Sequence, residues 1–194
     1  MKDYNDKRDF SKTKEPKEDH SGKRNENPIF VIQKHDATNL HYDFRLEIDG
    51  TLKSWSVPKG PSTDPSVKRM AIPTEDHPIA YADFEGTIPK GQYGGGTVMI
   101  WDKGEIESIK QDDDGNLISL EDSFDTGSIE VILKGKKLQG GYNLVEMKGG
   151  KMKGNWLLMK QDDEFADARR NPVKTEVKSA TTGRSLEEIA KDEA

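Results

Sequence analysis

Nine short runs rich in Val, Ile, Leu, Trp and Thr recur along this chain, each bounded by Gly, Asp, Asn or Pro, and they point to an all-β architecture. The runs are IFVIQ (29–33), LHYDFRLEI (40–48), TLKSWSV (51–57), RMAIPT (69–74), GTVMIW (96–101), GEIESI (104–109), SIEVIL (128–133), YNLVEMK (142–148) and NWLLMK (155–160). Short strands at this spacing suggest a sandwich or a barrel. Asp49-Gly50 lies between two alternating runs and predicts a tight hairpin, because a type I′ turn needs positive φ at both central residues. Asp102-Lys103-Gly104 and Gly140-Gly141 predict two further turns. GRSLEEIAKDE (183–193) reads as helical, with Ser185 and Glu188 at capping-box spacing. It is too short to be stable alone.

Residues 28–160 hold enough apolar side chains for one core. Residues 1–27 carry Met1, Tyr4 and Phe10 and little else apolar, and residues 161–194 are similarly thin. Composition therefore predicts one compact domain with flexible ends. A formal net charge of −6 argues against a large non-specific nucleic-acid surface, which is usually basic. It leaves room for a small recessed basic pocket. Without cysteine there are no disulfides or thiolate zinc sites, so any metal must be held by His, Asp, Glu and water. No apolar run approaches the ~20 residues of a membrane helix. The amino-terminus lacks the apolar stretch of a signal peptide. A soluble cytoplasmic protein with no membrane contact is expected.

From 41 to 48 the alternation is clean. Tyr42, Phe44, Leu46 and Ile48 are apolar, whereas His41, Asp43, Arg45 and Glu47 are polar. Residues i and i+2 of a strand point the same way, about 7 Å apart at Cα, so His41 and Asp43 reach a common point. An imidazole and a carboxylate suit Mn²⁺, Fe²⁺ or Zn²⁺. His35 precedes the bend DATN (36–39) and approaches from the side as a third ligand. Arg45 beside a metal is placed to bind an oxyanion such as phosphate. The bland alternative is an amphipathic edge strand with a solvated polar face, and the spacing alone leaves both open.

Lys59, Lys68, Arg69, His77 and Tyr81 follow. Singly each reads as a surface side chain; together they offer a cationic, proton-donating set without a large basic patch. His77 and Tyr81 have the chemistry of a general acid or hydrogen-bond donor. GQYGGGT (91–97) lacks the ending of a nucleotide P-loop and precedes a strand, so it reads as backbone turn chemistry. QDDDGN (111–116) lacks the spaced ligands of a calcium loop. His35-Asp36 sits in a turn-like context that does not suit a helical phosphohydrolase dyad.

FVIQKHDATNLHYDFRLEIDGTLKSWSVPKGPS (30–62), EDHPIAYADFEGTIPKGQYGGGTVMIWDKGE (75–105) and NWLLMK closely resemble the 3′-phosphoesterase domain of bacterial DNA ligase D and its free-standing bacterial and archaeal relatives. The resemblance begins at KRDFSKTKEP (7–16) and covers most of the chain. It implies a compact closed β-barrel of short, mostly antiparallel strands and a Mn²⁺-dependent activity, with Co²⁺ or Zn²⁺ as possible substitutes. The implied substrates are DNA primer-template or duplex 3′ ends carrying a ribonucleotide or a phosphate. A phosphodiesterase step removes a terminal ribonucleoside, and a phosphomonoesterase step removes the remaining phosphate. By match to the family motif, His35, His41 and Asp43 are the metal ligands. Arg45 and His77 are the phosphate-side catalytic pair, with Tyr81 beside them, and Lys59, Arg69 and Gln33 fill further active-site positions. The arm contributes Arg8, Asp9 and Glu15. It is thus an active-site element that composition alone would discard.

TTGRSLEEIAKDEA (181–194) resembles the linker that follows this domain in multidomain ligase D proteins. The opening Met and charged arm lead to the expectation of a free-standing monomer with separate ligase and polymerase partners; a piece of a larger protein is the alternative. Two rival functions remain. His41-x-Asp43 with His77 also spells the two-His-one-carboxylate pattern of Fe(II) oxygenases on β-barrels. A non-catalytic nucleic-acid-binding barrel is the other, though acidity and scarce aromatics count against it.

Overall fold

The computed structural model describes residues 2–17 and 27–192. Nine antiparallel strands build it: β1 (Ile29–Asp36), β2 (Leu40–Ile48), β3 (Thr51–Val57), β4 (Arg69–Pro73), β5 (Gly86–Ile88), β6 (Gly96–Ser108), β7 (Ser128–Gly135), β8 (Gln139–Glu146) and β9 (Trp156–Lys160). The order β1-β2-β3-β4-β9-β8-β7-β6 closes on itself because β1 also pairs with β6. The result is the expected closed barrel of eight strands. Strand β5 lies outside the ring on β6, and the sequence reading did not anticipate it.

Alternation on β1 and β2 sorts side chains into two layers. Phe30, Ile32, Tyr42, Phe44 and Leu46 fill the barrel with Trp55, Trp101 and Trp156. Val31 faces the other way, into a second cluster of Tyr4, Leu52, Tyr81, Phe84, Ile88, Val98 and Ile100. That outer cluster roofs one wall of the barrel. Consequently the polar face of β2 is not solvated: Asp43, Arg45 and Glu47 are all buried.

The hairpin at Asp49-Gly50 forms as expected, with φ of 50° and 71°. The other two predicted turns are corrected. Strand β6 runs straight through Asp102-Lys103-Gly104, with an irregularity opposite Ile32/Gln33. Asp102 is fully buried and accepts the backbone N–H groups of Lys136, Lys137 and Leu138, capping the β7–β8 connection. Gly104 serves close approach, since a Cβ there would lie 2.1 Å from the Lys134 carbonyl oxygen. Gly140 and Gly141 lie within β8, where a Cβ on Gly141 would meet Gln161 at 2.1 Å. In both cases a neighbouring backbone or side chain, invisible to local pattern, requires the glycine.

Helices are short: α1 (Lys2–Asp6), α2 (Leu120–Asp125), α3 (Pro172–Thr175) and α4 (Leu186–Asp192), with a 3₁₀ turn at Ile79–Asp83. The capping box of α4 is reciprocal, Ser185 N donating to Glu188 and Glu188 N to Ser185 Oγ. Composition predicts a flexible tail, but over the described residues it is packed. Leu186 and Ile189 are buried in the barrel cluster. Trp101 Nε1 donates to the Glu176 carbonyl at 2.7 Å, and Ala180 N to that of Ile100 at 2.8 Å. A few well-placed contacts thus hold a segment that is polar on average. The arm behaves likewise over 2–17; residues 18–26 lie outside the described residues. Among the described residues no helix is long and apolar enough to cross a membrane.

Candidate metal and phosphate site

The site lies on the outer wall of the barrel, beneath the second apolar cluster. His35 from β1 and His41 and Asp43 from β2 bring one donor atom each within 4.8 Å of one another. His35 is directly opposite His41 in the β1–β2 ladder, and Gln33 is opposite Asp43. Antiparallel pairing thereby turns a spacing along one strand into a cluster across two.

These residues fit a divalent cation. His41 Nδ1 lies 2.8 Å from the Asn39 carbonyl; with the neutral ring's proton on that nitrogen, Nε2, 3.5 Å from Asp43 Oδ1, has a lone pair for a cation. The Nε2 of His35 is buried and has no hydrogen-bond partner. Such an atom costs about 1–3 kcal/mol unless something binds it. The hydrogen bond and charge of Asp43 raise the His41 pKa against burial. Burial alone would raise Asp43 itself. The charge of Arg45 and the bonds from both histidines outweigh it and hold the carboxyl well below its ordinary range.

Arg45 is the hub. Its Nη2 donates to Asp43 at 2.9 Å and its Nε to Gln33 Oε1 at 2.8 Å; Nη1 lies 3.0 Å from His77 Nδ1. Gln33 is itself fixed, donating to the carbonyls of Tyr81 and Phe84. His77 Nδ1 also lies 2.9 Å from the Glu75 carbonyl. One tautomer satisfies the guanidinium and the other the carbonyl. Burial, then the charges of Arg45 and Arg8, push the His77 pKa well below its usual value, so the ring is neutral.

The arm completes the wall. Arg8, with its side chain 4 % exposed, donates Nε to Glu15 at 2.8 Å and Nη1 to Glu75 at 2.7 Å, over the Tyr4 ring. Glu15 also accepts from Tyr81 Oη at 3.1 Å and from Thr13 Oγ1 at 2.9 Å. Burial first, then the Glu15 charge, raise the Tyr81 pKa well above its ordinary value. Together with His35, His41, Asp43 and Tyr93, these residues enclose a cavity of about 180 Å³ lined by Arg8, Arg45, Glu75, His77 and Tyr81. Two buried guanidiniums, Arg8 and Arg45, face three buried carboxylates, Asp43, Glu15 and Glu75. Lys7 also pairs with Glu75 at 2.7 Å, so these charges balance, and a divalent cation would leave the cavity positive, which suits an anion.

Three expected residues lie elsewhere. Asp9 is exposed and bonds locally to Ser11 and Lys12. Lys59 is exposed after β3. Arg69 opens β4 on the side of the buried Ala71, and its Nε is buried without a partner. None lines the cavity. Conversely, sequence reasoning missed Glu75 and Tyr93. Glu75 stood two residues before His77 as a signal, and Tyr93 was hidden in a loop read as turn chemistry.

Residues 33–146 match a family profile described as the DNA Ligase D 3′-phosphoesterase domain. The chain is 44 % identical over 164 residues to the multifunctional non-homologous end joining protein LigD of Pseudomonas aeruginosa, covering 84 % of this chain and 19 % of that protein. It is 45 % identical over 161 residues to the LigD of Mycolicibacterium smegmatis, with 83 % and 20 % covered. It is 42 % identical over 161 residues to the multifunctional non-homologous end joining DNA repair protein LigD of Mycobacterium tuberculosis, with the same coverage. The chain thus spans about a fifth of the length of these relatives.

Proposed function

This chain belongs to the DNA ligase D 3′-phosphoesterase domain family, and we propose that it is a metal-dependent enzyme that trims DNA 3′ ends in the cytoplasm during end joining. In the first step water attacks the phosphorus beside a 3′-terminal ribonucleoside. The P–O5′ bond breaks, the ribonucleoside leaves as its 5′-alcohol, and a 3′-phosphate remains. In the second step water attacks that phosphate, the P–O3′ bond breaks, and inorganic phosphate and a 3′-OH result. The observation that carries the reading is the convergence of His35, His41 and Asp43 with Arg45, His77 and the arm's Arg8 on one cavity.

His35, His41 and Asp43 would hold the cation, Mn²⁺ for preference, with Co²⁺ or Zn²⁺ compatible with the same donors. Bound there, it would supply charge neutralisation at a phosphate oxygen and a more acidic water. Arg45 stabilises charge on the phosphate oxygens, since its guanidinium has more N–H groups than its contacts to Gln33, Asp43 and His77 use. Gln33 and Asp43 fix its orientation in advance. Neutral His77 donates a hydrogen bond to the leaving oxygen, whose proton comes from water. Tyr81 and Glu15 hold Arg8 over the phosphate. On this reading the protein acts as a monomer on primer-template or duplex ends, alongside ligase and polymerase activities.

The oxygenase alternative needs His77 as a ligand. Its ring sits between two guanidiniums, a poor neighbourhood for a further cation. A duplex ending in one 3′-ribonucleotide or in a 3′-phosphate, incubated with Mn²⁺, should be converted to a 3′-OH end. Absence of trimming by wild type would refute the proposal, as would undiminished trimming by Asp43→Ala.

A further inference from the structure

We propose that Tyr93 is a stacking subsite for the base of the terminal ribonucleoside, distinct from the groups that hold phosphate. The inference deepens the proposed end-trimming function and rests on it. Tyr93 is 50 % exposed, whereas Tyr4 and Tyr81, which flank the same cavity, are 0 % and 2 % exposed. Packing therefore accounts for those two rings and not for Tyr93. Tyr93 nevertheless lines the cavity with His35, Arg45 and His77. Lys7 Nζ lies 5.0 Å and the Arg8 guanidinium 5.5 Å from its ring centroid, which ties the ring to the docked arm. An aromatic ring left in water at the rim of a polar cavity offers a face that any nucleobase can stack on, without sequence preference.

The surroundings select which nucleoside that is. On the Tyr93 side Lys7 and Arg8 of the arm border the cavity. On the far side of His41 a groove lined by Leu40, Ser56 and Pro58 opens to the surface. A 3′ end has a single nucleoside beyond the scissile phosphate and a whole strand before it. The side bordered by the arm and the Tyr93 ring suits the single nucleoside, and the groove past His41 suits the strand.

Kinetics on two duplexes test this, one ending in a single ribonucleotide and one in a 3′-phosphate. Tyr93→Ala should lose kcat/KM on the ribonucleotide end, mainly through KM, by on the order of ten-fold more than on the phosphate end. Tyr93→Trp should restore the ratio. A third duplex, whose terminal ribose lacks its base, should cost wild type the same factor and cost Tyr93→Ala nothing further. Equal losses on both ends, or losses that add when ring and base are both removed, would overturn the stacking role. Calorimetric binding of a ribonucleoside 5′-monophosphate separates the two levels. If wild type trims neither end, the end-trimming function falls. The stacking role then stands or falls on whether Tyr93→Ala weakens nucleotide binding.

Discussion

The guanidinium of Arg8 reaches to 3.5 Å from Nε2 of His77, across 69 residues of sequence. A polar arm thereby supplies one wall of a cavity whose floor is barrel sheet. The same guanidinium pairs with two buried carboxylates, Glu15 and Glu75, the second of which it shares with Lys7.

Arg8→Ala should therefore damage both stability and activity. It leaves Glu15, whose side chain is 0 % exposed, without a cation and with only the hydroxyls of Tyr81 and Thr13, while Glu75 keeps Lys7 at 2.7 Å. Breaking a buried pair from one side costs about 3–5 kcal/mol. Thermal melting should fall accordingly, and end trimming by about ten-fold or more. Arg8→Lys, which keeps charge but not the fork, should recover only part. Wild-type melting and turnover in Arg8→Ala would show that the arm does not dock in solution.

Adding Mn²⁺ to chelator-treated protein should raise its melting temperature. Saturation at a hundred times Kd corresponds to about 2.7 kcal/mol. Asp43→Asn should abolish the shift, and chelator should abolish trimming. Melting curves indifferent to the cation, with full activity in chelator, would remove the metal from the site.

His77 should impose a pH dependence. Stability rises with pH wherever the unfolded chain binds more protons than the folded one. Burial, Arg45 and Arg8 lower the folded pKa well below 6.5, while Asp43 and the Glu75 carbonyl oppose them more weakly. Between that lowered value and 6.5 only the unfolded chain is protonated here. Stability is lost as pH falls below 6.5 and is fully regained above it. His41 has the opposite sign, because Asp43 raises its pKa. The His77 contribution is thus read as the difference between wild type and His77→Gln in urea denaturation at about pH 5 and about pH 7.5. Wild type should lose stability relative to the variant at the lower pH; parallel behaviour would mean that His77 protonates freely when folded.

Ile189→Ala tests the tail. A fully buried isoleucine truncated to alanine costs about 2–5 kcal/mol, and the remaining folded protein should still trim ends. Unchanged denaturation would mean that α4 does not pack on the barrel.

The sequence carried the His41, Asp43 and Arg45 face because a strand repeats every two residues, and no tertiary knowledge is needed to see it. The closed barrel rested on family resemblance; its strand runs were legible, its closure through β1 and β6 was not. The arm was illegible to composition. Its anchors are one tyrosine and a set of charges, and charges look like solvent-facing residues until their partners, Glu75 and Tyr81, are known. Lys59 and Arg69 show the converse. Family match names them for the site, yet Arg69 shares the Ala71 side of β4, while Lys59 lies in an exposed loop.

Strand β1 carries Gln33 and His35 and is paired along both sides, to β2 and to β6. Its amide protons are divided between the two ladders, and parting either ladder amounts to opening the barrel. Hydrogen–deuterium exchange should accordingly find them among the slowest in the chain. The arm has no ladder and can lift away on its own. Gradual warming should then act in two stages, with the arm released first and His35, His41 and Asp43 drawn apart only when the barrel itself comes apart.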